Sequence, residues 1–84
     1  MYRVITYPEA TDQIAALPAE ALDGYAEVLS TLELQPWSGR PQHEDNPEGE
    51  VRRWMFGLGY AGHVVYLVLE KQREVHVILV QWWG

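Results

Sequence analysis

Residues 50–83 read EVRRWMFGLGYAGHVVYLVLEKQREVHVILVQWW, and this stretch decides the fold. It holds three runs rich in β-branched and aromatic residues: Glu50 to Gly57, His63 to Glu70, and Glu74 to Trp83. The connections, LGYAG and KQR, are short enough for hairpins, so the runs predict an antiparallel meander of three strands. Side chains alternate across a strand, and tight hairpins fix which residues share a face. One face is expected to carry Arg53, Met55, His63, Val65, Leu67, Leu79, Gln81 and Trp83. The other is expected to carry Trp54, Phe56, Val64, Tyr66, Val68, His76, Ile78, Val80 and Trp82. The second set is the more apolar and is assigned to the interior, which leaves the first set on an open surface.

What precedes the meander supplies its cover. Tyr2 to Tyr7 (YRVITY) alternates as a strand does. Pro8 suits the first turn of a helix, Glu9 and Asp12 sit near its positive end, and Ala10, Ile14 and Leu17 recur at helical spacing. Pro18 interrupts that helix. A second helix is predicted from Ala19 to Leu34 on a stripe of Leu22, Tyr25, Leu29 and Leu32, so the two form a helical hairpin. Gln35 to Gly49, with three prolines, two glycines and no period, reads as a loop ordered in part by Trp37. The fold class is therefore α+β, in the order βααβββ, with the helical hairpin packed on one face of a small antiparallel sheet. Residues 1–84 form one domain.

Composition narrows the function. The 84 residues are 48% hydrophobic and 21% charged, with 12 acidic and 6 basic side chains and a net charge of -6. A chain of this size buries only about 60% of its unfolded surface, so a binding partner can add a large share of its stability. The absence of cysteine excludes disulfides, thiolate zinc sites, iron–sulfur clusters and a cysteine nucleophile. No apolar run approaches the roughly 20 residues of a membrane helix, and the opening MYRVITYPEATDQ lacks the pattern of a signal peptide. The expectation is a soluble cytoplasmic protein without a membrane role. Charge is uneven: residues 1–50 hold ten acids and two bases, and residues 51–84 hold two acids and four bases. An anion belongs with the second half, while the acidic whole argues against tight non-specific nucleic-acid binding.

The strand-to-helix opening YRVITYPEATDQIAALP, the Pro-rich segment WSGRPQ, and the run EVRRWMFGLGYAGHVVYLVLEKQREVHVILV together resemble the RelE/ParE superfamily of toxins from type II toxin–antitoxin pairs. The resemblance spans nearly the whole chain. It implies a toxin neutralised by a cognate antitoxin whose disordered segment folds around it. For a RelE-type member it further implies a ribosome-dependent, metal-independent endoribonuclease acting on messenger RNA, with no cofactor. Such chemistry needs a base for the 2'-hydroxyl, an acid for the leaving 5'-oxygen and cations for the charge that builds on phosphate. Carried across by position, Arg53, and with it Arg52, matches the basic place of the second strand of the βααβββ order, and His63 falls where an arginine opens the third strand in many active members. Trp82 and Trp83 fall where those members place further basic residues. Two alternatives remain: a ParE-type inhibitor that binds DNA gyrase without chemistry, and a catalytically silent binding module of the same fold. A homodimer is compatible with each.

Other constellations have simpler accounts. Arg52 and Arg53 could equally be solvated charges paired with Glu50 or Glu70, and His63 a polar strand start. His43 in its acidic loop and His76 among core positions are assigned no catalytic role. The three histidines lack metal-ligand spacing, although His43, Glu44 and Asp45 could take up a cation adventitiously. The carboxylates Glu9, Asp12, Glu20, Asp23 and Glu27 read as a solvated helix surface. Glycines 57, 59 and 62 make a GxGxxG string between two strands, which marks a hairpin and not a nucleotide loop. The terminal QWWG places two large aromatics at the edge of a small core, and at least one of Trp82 and Trp83 is expected to serve as a partner anchor.

Overall fold

The computed structural model describes residues 1–41 and 50–84. The strands are β1 (Arg3–Thr6), β2 (Arg40–Pro41), β3 (Val51–Phe56), β4 (Gly62–Leu69) and β5 (Glu74–Trp82), and the helices are α1 (Pro8–Ala15) and α2 (Ala19–Leu34). The described residues build one sheet in the order β1-β5-β4-β3-β2. The β3–β4–β5 meander is antiparallel as expected. β1 instead joins β5 in parallel, so the sheet is mixed; the chain between them passes through both helices and through β2, β3 and β4, a crossover long enough to bring the two strands side by side in the same direction. His43 and the cation cluster suggested with Glu44 and Asp45 lie outside the described residues. The part of the expected loop that is described, residues 35–41, is ordered: a 3₁₀ turn over Pro36–Ser38 leads into β2.

Pro8 occupies the first turn of α1, where its missing N–H costs nothing, and Pro18 stands at the N-cap of α2. The buried stripe of α2 is Ala21, Tyr25, Val28 and Leu32. Leu22, expected on that stripe, is exposed, because the buried face is centred slightly to one side of the expected stripe, taking in Ala21 and Val28 while keeping Tyr25 and Leu32. Beneath the helices Val64, Tyr66 and Val68 of β4 and Val75 and Val77 of β5 are fully buried, each such side chain contributing roughly 1.5–3 kcal/mol. Gln13 Oε1 of α1 accepts the Val80 N–H at 2.6 Å and so ties the first helix to β5.

The face assignments hold for β3 and β4, where Arg53 pairs with Val65 and Met55 with His63. They fail for part of β5. Val65 pairs with Leu79 and Tyr66 with Val77, so Ile78 is an extra residue in a β-bulge. The bulge shifts the alternation by one: Val75 and Val77 face the helices, while His76, expected in the core with Ile78, lies on the open face. There His76 Nδ1 meets Tyr7 Oη at 2.9 Å and Nε2 meets Glu74 Oε1 at 3.0 Å. Beyond the bulge the expected parity returns, and Val80 and Trp82 lie on the helix side with Leu79 and Gln81 opposite.

Candidate functional site

Strand alternation separates the two adjacent arginines of β3. Arg52 pairs with Tyr66, faces the helices and is 7% exposed. Its guanidinium donates to the carbonyl oxygens of Trp37 at 3.1 Å and Gly39 at 2.9 Å, and lies 4.8 Å from the centre of the Trp37 ring. A cation is tolerated inside a small core only when such groups replace its hydration. The sequence reading groups Arg52 with Arg53 at a phosphate; the geometry gives Arg52 to the fold, since neighbouring residues of a strand must point to opposite faces.

Two more contacts fasten the same segment. Tyr66 Oη donates to the Pro36 carbonyl at 2.6 Å, and burial pushes its phenol up to about 12. Gly39 rests directly on that phenol: a β-carbon there would overlap Tyr66 Oη and stand 2.9 Å from Cζ. Trp37 is held from its other side by Glu70, whose Oε1 accepts its indole N–H at 2.7 Å and the Tyr2 hydroxyl at 2.5 Å. Arg73 adds a 2.8 Å bond to Glu70 Oε2. The hydrogen bonds from Tyr2, Trp37 and Arg73, in that order, hold the Glu70 carboxyl down at about 2.

With residues 36–41 fixed in this way, β2 sets Arg40 directly opposite Arg53. Both line a cavity of about 310 Å³ together with Ser38, Gly39, Trp54, Met55 and Tyr60. Among the described residues neither arginine forms an ion pair, and Arg53 Nε is buried without a hydrogen-bond partner. His63 lies across from Met55, two pairs along from Arg53 and Val65 and so on the same face, a diagonal relation that sets the two residues roughly 7–8 Å apart with their β-carbons somewhat closer. An arginine side chain and an imidazole at that spacing can reach the same phosphodiester. The imidazole also meets the Trp83 ring edge-on, with centroids 6.5 Å apart.

The two terminal tryptophans divide. Trp82 packs against the core beside Phe56, with ring centroids 6.1 Å apart. Trp83 is 69% exposed, while its backbone N–H is held by the Ala61 carbonyl at 2.8 Å. Arg53 and His63 are thus brought together on the open face with Trp83 beside them, and Arg52 is turned away. Arg40 and Tyr60 were not picked out by sequence, since both fall in aperiodic connections where alternation assigns no face. The local signal for Arg40 is its place between Gly39, which admits a close approach of the backbone, and Pro41, which restricts it. Among the described residues no group of three histidine, aspartate or glutamate side chains is arranged to hold a metal, and no described helix is long and apolar enough to cross a membrane.

No protein-family model and no curated protein sequence matches the chain. Solved structures do. The isolated E. coli RelE toxin superposes with a TM-score of 0.78 at 15% identity, over 100% of this chain and 86% of that one. The intact E. coli RelBE toxin–antitoxin complex gives 0.77 at 15% identity, over 100% of this chain and 99% of that one. The archaeal RelE–RelB complex from Pyrococcus horikoshii OT3 gives 0.70 at 19% identity, over 99% and 96%. The superposition runs from end to end and includes the helical hairpin, the parallel first strand and the meander, so this chain has the fold of the RelE toxins.

Proposed function

We propose that this protein is the toxin of a type II toxin–antitoxin pair, and that it acts as a ribosome-dependent endoribonuclease on messenger RNA. The observation that carries the reading is the Arg53–His63 pair on the open face of a RelE-type fold, beside a cavity and clear of the core. Arg53 neutralises the charge that builds on the phosphate as the 2'-hydroxyl attacks it. His63 moves the proton, taking it from the 2'-hydroxyl or giving it to the departing 5'-oxygen. The antitoxin is the expected partner: two of the similar structures are complexes of RelE with its antitoxin RelB. Trp83, exposed just past the end of β5, is its anchor on this chain, with Trp82 supporting from the core.

The test is expression of the chain alone and with the product of its neighbouring reading frame, followed by pulse labelling of protein and DNA synthesis. The reading expects arrest of translation, relieved by the neighbour. Arg53→Ala should lower cleavage about 10²-fold or more, the usual cost of removing a donor aimed at developing charge. His63→Ala should lower it with a changed pH profile. Cleavage that survives both substitutions refutes the nuclease reading. One observation favours a second reading. With Arg52 committed to the fold, the cationic set is small, as suits a non-catalytic gyrase inhibitor or silent module. DNA damage without translation arrest would establish the former, and no effect on growth at good soluble expression the latter.

A further inference from the structure

The cavity beside Arg53 is more than the phosphate site requires. At about 310 Å³ it lies at the small end of the ~300–1,000 Å³ typical of ligand sites, a size suited to one nucleotide unit. It is lined by Ser38, Gly39 and Arg40 from the segment ahead of β3, by Arg53, Trp54 and Met55 of β3, and by Tyr60 of the following turn. Two features of the lining are costly unless a ligand is meant to use them.

The first is the cross-strand pairing of Arg40 with Arg53. Like charges directly opposite one another in a sheet destabilise it. Among the described residues no carboxylate pairs with either side chain. An anion between the guanidinium groups converts that repulsion into a two-sided, charge-assisted clamp, for which the planar donors of arginine are well shaped.

The second is Tyr60. It ends the 3₁₀ turn Leu58–Tyr60 with a φ of 57, a left-handed conformation that aromatic residues rarely adopt, and it is 66% exposed. Gly57 and Gly59 in the same turn also have positive φ and adopt it freely. A strained backbone at an exposed aromatic residue that lines the same cavity as two arginines has the components of a base-stacking platform.

We propose that this cavity is an RNA subsite in which Arg40 and Arg53 clamp a single phosphodiester and the Tyr60 ring stacks on the adjoining base. The inference deepens the RNA reading above and rests on it. It assigns affinity to Arg40 and a preference among bases to Tyr60, since a one-sided stacking platform favours bases with the larger π-face.

The experiment uses the whole chain and a non-cleavable 2'-O-methyl RNA hexanucleotide, with binding followed by NMR shifts and fluorescence anisotropy over a salt series. Shifts should concentrate at residues 38–40, 53–55 and 60. Arg40→Ala and, as a check on side-chain packing, Arg40→Gln should each weaken binding about tenfold and lower the salt slope by about 0.7, the value for one single-strand phosphate contact. Tyr60→Gly relieves the backbone while removing the ring. It should leave thermal stability intact, weaken binding about tenfold and leave the salt slope unchanged; Tyr60→Phe should bind like the parent. Wild-type affinity and slope in the Arg40 variants, or wild-type affinity in Tyr60→Gly, overturns the proposal. Translation arrest is measured on the same variants: arrest by the parent with unaffected variants sinks the subsite alone. RNA binding with these dependences but no arrest upholds the subsite and sinks the toxin reading instead.

Discussion

Replacing Arg52 by alanine should cost about 3 kcal/mol, and the same change at its neighbour Arg53 under about 1 kcal/mol, although the two differ by one position in sequence. The figure for Arg52 follows from what it touches. Two hydrogen bonds from a charged donor, to the Trp37 and Gly39 carbonyls, are each worth roughly 1.5–3 kcal/mol. Partial rehydration of the freed carbonyls returns some of that. Loss of the guanidinium from the Trp37 ring adds about 0.5–1 kcal/mol. At about 0.05–0.15 kcal/mol per residue the whole domain has only some 4–13 kcal/mol to lose. A loss of about 3 kcal/mol corresponds to a Tm lower by roughly 12–24 °C for a domain of this length. Arg53, on the open face without an ion pair among the described residues, has no comparable set of bonds to lose. The assay is thermal and urea unfolding by circular dichroism for both variants, with the urea slope checked for constancy. An Arg52→Ala loss below about 1 kcal/mol, or an equal loss at Arg53, would refute the assignment of one arginine to the fold and the other to the surface.

Three further outcomes are expected. Gly39→Ala, whose β-carbon has no room beside Tyr66 Oη, should destabilise by about 1–3 kcal/mol and weaken function by displacing Arg40, as measured by urea unfolding and by NMR shifts of β2. Glu70 titrates near 2 in the fold against an ordinary value of 4.5, so its stabilising effect is complete above about pH 4.5 and is lost as pH falls toward 2. The Tm of Glu70→Gln should therefore be flatter than the parent's across that window. Trp83→Ala should leave Tm within about 2–4 °C of the parent's, because the ring is largely solvated, while weakening antitoxin binding by about tenfold or more in calorimetry.

How much of the site could be read in advance depended on whether each residue sat in a periodic element. Arg53 and His63 lie in strands joined by a short connection, and alternation put them on one face correctly. Alternation also sends Arg52 to the opposite face, but what awaits it there, the carbonyls of a turn thirteen and fifteen residues earlier, has no sequence signature. Arg40 and Tyr60 sit in connections whose conformation is set by contacts with Tyr66, Arg52 and the hairpin. Trp82 and Trp83 could be named as a pair, but their division into a core ring and an exposed ring required the register of β5 against β4.

The amino-acid order by itself determined the succession of helices and longer strands, the bounds of α2, the meander and the open face of β3 and β4, because those follow from local periodicity and from prolines that admit few backbone conformations. Only the tertiary structure decided that β1 enters the sheet beside β5 in parallel, that a bulge at Ile78 carries His76 out of the core, and that the segment after α2 folds back to set Arg40 against Arg53. Each of these turns on long-range hydrogen bonds and packing between residues far apart in the chain. There local preference is nearly indifferent, and the alternative that buries the apolar face without stranding a polar group prevails.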